Sequence, residues 1–297
     1  MGQIRPGQTP GVLFMDKFAI VLGYRCNFKC EHCIVGDKKG TGLTAAEKDL
    51  VALTVRRGGI GNLLFVGGEP TLYIPDMNEI VSKLGNPLPN IRMTTNGHFA
   101  KSKAAAVKVL RRISGLSGIN LSYDSLHEKF LPEENIENLY LACKEVGLGF
   151  AVLLSLRSPM DLALLNKIRK AGKFRVLIQK LLPVGAARSN DLGFKYPSFN
   201  EGALSMHCPT RDNLIYMCGQ GFTVCCGALA FGPGVSRAVF PTLEGLMSSD
   251  FYKLVAKNSF SGMIRKLRLT GLKFKPEHSA PCVLCEYLFK SKYGEQT

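Results

Sequence analysis

Between residues 17 and 182, short apolar runs alternate with longer stretches whose apolar residues recur at helical spacing. The runs at 18–22, 62–66, 91–95, 119–123, 150–156 and 175–181 are rich in Val, Ile, Leu or Phe. Gly, Asn or charged residues bound them, a pattern that predicts strands. Amphipathic helices are predicted near 44–57, 76–84, 101–112, 132–146 and 161–171. Thr44 with Glu47 three residues on is a capping-box signature, and Pro132 ahead of two acids suits a helix start.

Strand–helix units in series predict an α/β fold, because parallel strands need crossover connections. In such sheets the working residues gather at the C-terminal ends of the strands. Cys26 follows the first strand, Gly67-Gly68-Glu69-Pro70 the second, and Thr94-Thr95-Asn96-Gly97 the third. Ser122 and Asp124 end the fourth, Ser155 and Arg157 the fifth, and Lys180 the sixth. The polar motifs therefore share one rim.

The pattern breaks after Pro183. Residues 184–204 are rich in Gly, Ala, Ser and Asn and read as a linker or lid, and 205–297 as a second unit holding six cysteines. Residues 1–16 form an N-terminal extension, leaving 17–183 as the body. Hydrophobic residues make up 46% and charged residues 21%, a balance that supports a buried core. No run approaches the ~18 apolar residues of a membrane span, and the first dozen residues lack a signal peptide's apolar stretch. A cytoplasmic location without a membrane partner is expected. There, ten cysteines point to metal or catalysis before disulfides. The net charge of +15 suggests an anionic partner, but the basic residues are spread along the chain, as on a diffuse solvated surface.

Cys26, Cys30 and Cys33 lie within eight residues. Iron–sulfur clusters are normally held by four Cys, so three leave one position open, the mark of a catalytic metal. A structural zinc site lacks its fourth ligand here, since His32 is too close to close a tetrahedron. The run CNFKCEHC resembles the CxxxCxΦC signature of the radical S-adenosylmethionine (SAM) superfamily, with His32 in the aromatic position. Gly67-Gly68-Glu69-Pro70 resembles that family's GGEP motif. The resemblance covers 17–182 and implies a partial (β/α)6 TIM-like barrel with a SAM-binding [4Fe–4S] cluster on the three thiols. It also implies SAM contacts by Gly67, Gly68, Glu69 (to the ammonium), Thr95, Ser122 and Asp124, with Leu181–Ala186, including Leu182, near the adenine. Arg157 and Lys180 are placed to meet a carboxylate or phosphate, of SAM or of substrate. Reductive cleavage of SAM would give a 5′-deoxyadenosyl radical that takes a hydrogen atom from the substrate.

The second group comprises Cys208, Cys218, Cys225, Cys226, Cys282 and Cys285. Cys282 and Cys285 have a metal-clip spacing after Pro281. The layout resembles the shortened SPASM, or twitch, domain, which implies one auxiliary [4Fe–4S] cluster on Cys208, Cys282, Cys285 and either Cys225 or Cys226. The GxxxxC spacing from Gly221 favours Cys226, and the Cys-Cys-Gly block favours Cys225. Cys225 is the expected ligand. Adjacent thiols on a strand point to opposite faces, which leaves Cys226 spare. A spare S–H beside such a cluster suits an epimerase, in which Cys226 returns the hydrogen atom; a small buried hydrophobe is the plainer role. Cys143 reads as core, and Cys218 as core, ligand or donor.

Three reactions fit: epimerisation, dehydrogenation of an alcohol, and formation of a thioether or C–C cross-link in a peptide. The substrate is a small molecule or peptide, with an electron donor such as flavodoxin or ferredoxin as partner. The dozen residues before the first strand leave no room for a fused leader-recognition domain. An iron–sulfur or zinc protein binding nucleic acid accommodates the charge and thiols but leaves GGEP unexplained.

Overall fold

The computed structural model describes residues 15, 17–35, 42–57, 59–232 and 238–294, so most of the N-terminal extension lies outside the described residues. All six predicted strands are present: β1 Lys17–Val21, β2 Asn62–Val66, β3 Asn90–Thr95, β4 Leu116–Tyr123, β5 Gly149–Leu156 and β6 Arg175–Lys180. They pair parallel in sequence order, as crossover helices require. The helices are α1 Ala45–Arg56, α2 Ile74–Ser82, α3 Lys103–Leu110, α4 Glu134–Glu145 and α5 Leu164–Lys170. Within the predicted 161–171 helix, the first residues belong to a 3-10 turn, Pro159–Ala163, that leads into α5. The capping box is present: Thr44 N–H donates to Glu47, and Glu47 N–H to the Thr44 hydroxyl.

Two further strands extend the same sheet. β7 Asn213–Met217 runs parallel to β1, from Lys17 opposite Asn213 to Val21 opposite Met217, and β8 Gly221–Thr223 folds back antiparallel on β7. The order is β6-β5-β4-β3-β2-β1-β7-β8, an open sheet with β6 as an exposed edge. The cysteine-rich region therefore shares a sheet and a hydrophobic core with the body, from Met15 and Phe18 through Phe222 to Phe289. Glu47 reinforces the join by accepting from Tyr216 Oη at 3.1 Å and Gly219 N at 2.7 Å. The remaining helices are α6 Ala186–Ser189, α7 Ala228–Phe231, α8 Leu243–Ser248, α9 Asp250–Lys257, α10 Phe260–Leu267 and α11 Pro281–Tyr293.

The segment read as a linker or lid is pinned at several points. Ala186 N donates to Cys33 O (2.9 Å), Asn190 Nδ2 to Glu31 O (2.7 Å) and Phe194 N to Leu181 O (2.8 Å). Arg188 forks onto Glu286 of α11, with Nη1 2.7 Å from Oε1. Gly185 makes this contact possible: its φ is 59°, and a Cβ there would lie 2.6 Å from Ile34 O and 2.7 Å from Cys33 O. Gly147 has a similar φ of 74° but open space around it. Gly147→Ala should cost about 1 kcal/mol, the price of a left-handed residue alone. Gly185→Ala should cost ~1–3 kcal/mol more, since backbone must also move. Urea denaturation of the two variants checks this; equal losses would mean that the 185 segment yields freely.

Candidate functional site

The loops after β1 and β2 are bonded to each other. Gly68 N donates to Gly23 O and Glu69 N to Arg25 O, both at 2.9 Å. A Cβ on Gly67 would lie 2.6 Å from Gly23 O, and one on Gly68 2.1 Å from Arg25 O. The approach of the two protein loops by itself requires the glycine pair. Both glycines also line a cavity of about 360 Å³ at the C-terminal rim of the strands. Cys26, Cys30 and Cys33 line the same cavity, together with Thr95, Asn96, Ser122, Ser155, Gln179 and Leu182.

Glu69 is held within the protein. Its carboxylate is buried, at 1% exposure, and is not part of the cavity wall. Oε1 accepts from Thr71 N (3.1 Å), Thr71 Oγ1 (2.7 Å) and Thr95 Oγ1 (2.7 Å), and Oε2 accepts from Asn96 N (2.9 Å). Four protein donors reach the carboxylate, so it braces the third-strand motif. Thr95 has its hydroxyl committed to Glu69 in the same way. Asn96, beside Thr95 in the third-strand motif, reaches back to the cysteine loop. Its Nδ2 lies 2.8 Å from Asn27 Oδ1 and 3.6 Å from Cys26 Sγ.

Asp124 also turns inward. It is 3% exposed; Oδ1 accepts from Leu126 N and His127 N, and Oδ2 faces His127 Nδ1 at 2.9 Å and His32 Nε2 at 3.2 Å. Burial alone would raise this carboxyl, but the two imidazoles hold it well below the usual carboxylate range. The cavity wall is formed by His32 and His127, not by Asp124. Arg157 is absent from that wall; its backbone N–H donates to Asp161, and its Nε is buried. Lys180 does line the cavity, with its ammonium 4.4 Å and 4.5 Å from the ring centres of Phe194 and Tyr196.

The three thiols suit an electropositive cluster. Burial, then the neighbouring Cys33, Cys26 and Asp124, pushes Cys30 up to about 12, and burial raises Cys26. Crowded neutral thiols of this kind become thiolate ligands when a cation offsets their mutual repulsion. A second, closely packed pocket gathers Cys208, Cys225, Cys226, Cys282 and Cys285. Burial and then Cys226 push Cys225 up to about 12, while Cys225 Sγ accepts from Gly227 N at 3.3 Å. Burial also raises Cys285, well above the usual thiol range. A hydrogen bond from Cys282 lowers Cys226, a direction that pairs these two thiols. Cys226 alone among the five also lines the first cavity. Cys218 is buried away from both pockets, and its carbonyl accepts from Tyr24 Oη at 2.9 Å. Cys143 is core.

Residues 20–147 match the family described as the radical SAM superfamily. The chain is 24% identical over 304 residues to "Putative peptide biosynthesis protein YydG" of Bacillus subtilis, covering 94% of this chain and 93% of that one. A GTP 3',8-cyclase of a Mycobacterium species is 34% identical over 115 residues, 36% of this chain and 31% of the cyclase. The chain thus spans about a third of the cyclases it matches. Among solved structures, anSMEcpe with bound AdoMet and Cp18Cys peptide covers 94% of this chain and 96% of its own, at a TM-score of 0.56 and 13% identity. That likeness is of fold. Residues 20–147 are a radical SAM domain.

The Asp124 geometry gives a signed prediction. A carboxyl depressed in the folded state contributes stability above its unfolded pKa of about 3.9 and loses it as pH falls further. Asp124→Asn should lower stability by ~1–3 kcal/mol at pH 6, through the weakened imidazole contacts. That gap should narrow below about pH 4 in urea titrations. A gap that stayed constant down to pH 2.5 would contradict the arrangement.

Proposed function

We propose that this chain, a radical SAM enzyme, epimerises a residue of a peptide substrate, with Cys226 returning the hydrogen atom. The observation that carries the reading is that Cys226 belongs to both cavities, at the boundary between the two thiol groups. Cys26, Cys30 and Cys33 would hold the SAM-binding cluster, and Cys208, Cys225, Cys282 and Cys285 an auxiliary one. When bound, the first cluster and SAM supply a 5′-deoxyadenosyl radical, which removes a hydrogen atom from the substrate carbon.

The chain's own residues then determine the outcome. Gly67, Gly68, Thr95, Asn96, Ser122 and Leu182 wall the space in which SAM and substrate meet. Such walls hold the reacting carbon close and exclude competing hydrogen donors. Cys226 presents an S–H to that space, and transfer of its hydrogen atom to the opposite face of the carbon inverts the centre. Lys180, lacking an ion pair among the described residues, offers an acidic peptide a cationic contact at the rim. The similarity to YydG along nearly the whole chain supports a peptide substrate.

His127 favours a second reading. Oriented by Asp124 and lining the cavity, it is placed to take a proton from a substrate radical undergoing oxidation. The two readings separate in deuterated water, using reconstituted enzyme, reductant, SAM and candidate peptides. Epimerisation should give an isomerised product one mass unit heavier; a product two units lighter would establish oxidation. Cys226→Ala should still cleave SAM, while isomer formation falls by at least about a hundredfold, the range for loss of a positioned transfer group. Cys26→Ala should abolish SAM cleavage; retained cleavage would refute the assignment of the first cluster.

A further inference from the structure

A second groove, of about 640 Å³, lies on the cysteine-rich side of the sheet. Phe240, Phe251, Leu254, Leu267 and Phe289 form its apolar floor, and Lys253 and Lys266 stand on its rim with Asp250 as its acid. Neither lysine makes an ion pair among the described residues. Between 250 and 294, nine Lys and Arg face three Asp and Glu, so the helices around the groove carry a concentrated share of the chain's positive charge. One of those acids, Glu286, is already engaged by Arg188.

The groove shares no residue with the cavity around Cys26. It shares Phe251 with the five-thiol pocket, so one side chain separates them. A substrate lying in the groove would not reach the radical-forming site, whereas a partner seated there would stand directly behind the thiols. We infer that this groove docks an acidic one-electron carrier protein. An apolar floor with a basic rim matches a small acidic protein that presents its redox group within an apolar patch. The charges would steer encounter, and the floor would supply the close contact.

The inference rests on hydrogen return by Cys226, which fixes the need for electrons. Cleaving SAM to methionine and the adenosyl radical consumes one electron. Donation of the Cys226 hydrogen atom leaves a thiyl radical, and one electron with one proton restores the S–H. Each turnover thus requires two electrons from a carrier of this class.

The test uses the reconstituted enzyme and purified flavodoxin as the acidic carrier, with affinity measured calorimetrically at low and raised salt. The wild type should bind, and binding should weaken as salt rises. The Lys253→Glu/Lys266→Glu double variant should bind at least about tenfold more weakly, as expected for reversed rim charges. Lys108→Glu, on the separate basic groove of Lys103, Lys108 and Arg111, should bind normally. SAM cleavage driven by dithionite should be unchanged in both variants, which excludes misfolding. The inference is overturned if the wild type does not bind, if Lys108→Glu weakens binding as much as the double variant, or if the double variant loses peptide binding while keeping flavodoxin. Failure of dithionite-driven isomerisation with the expected flavodoxin binding would refute the epimerase reading and leave the docking surface standing.

Discussion

The seam between the loops after β1 and β2 fixes the site more than any other contact. Two backbone hydrogen bonds, from Gly68 to Gly23 and from Glu69 to Arg25, carry the pairing of these strands past their ends. There is no room for a Cβ on Gly67 or Gly68. The seam holds the start of the cysteine loop at one height above the sheet, and Asn96 and the Gly185–Ala186 turn then grip the loop from two other directions. The three thiols lining one cavity are thereby kept close together by fixed backbone.

The carboxylates obey a related rule. Glu69 and Asp124 are so deeply buried that each must be fully satisfied by nearby donors, since an unpaired buried charge is costly. Each therefore acts through what it holds. Glu69 sets Thr95 and the Asn96 backbone, and Asp124 sets the two imidazoles. The cavity is lined by the residues so positioned, which are mostly neutral or cationic. This leaves a polar wall whose shape does not depend on a flexible charged side chain.

Joining β7 to β1 places the two thiol groups on one sheet and one hydrophobic core. The β7–β8 turn is tied to α1 through Glu47 and to the start of the cysteine loop through Tyr24. A pair of adjacent cysteines just beyond β8 then falls where the two cavities meet. Among the thiols of the second pocket, only Cys226 has access to both spaces, and this asymmetry separates two otherwise equivalent neighbours.

The sequence by itself determined the six parallel strands, the α1 cap and the gathering of the Cys26, Gly67 and Thr95 motifs on one rim. These are local properties: periodicity of two or 3.6, turn chemistry, and the rule that crossover strands present their ends together. It also separated the cysteines into the two groups that line the two pockets, because their spacing is written in the chain. Only the tertiary structure decided the direction of Glu69 and Asp124, the withdrawal of Arg157 from the cavity and the presence of His127 in its wall. Those outcomes depend on competition among donors brought together from different strands. The five apolar residues of β7 and its turn gave no sign of which sheet they would join, since a strand's partner is set by long-range packing. For the same reason, the difference between Cys225 and Cys226 emerged only when β8, α7 and α11 closed around them.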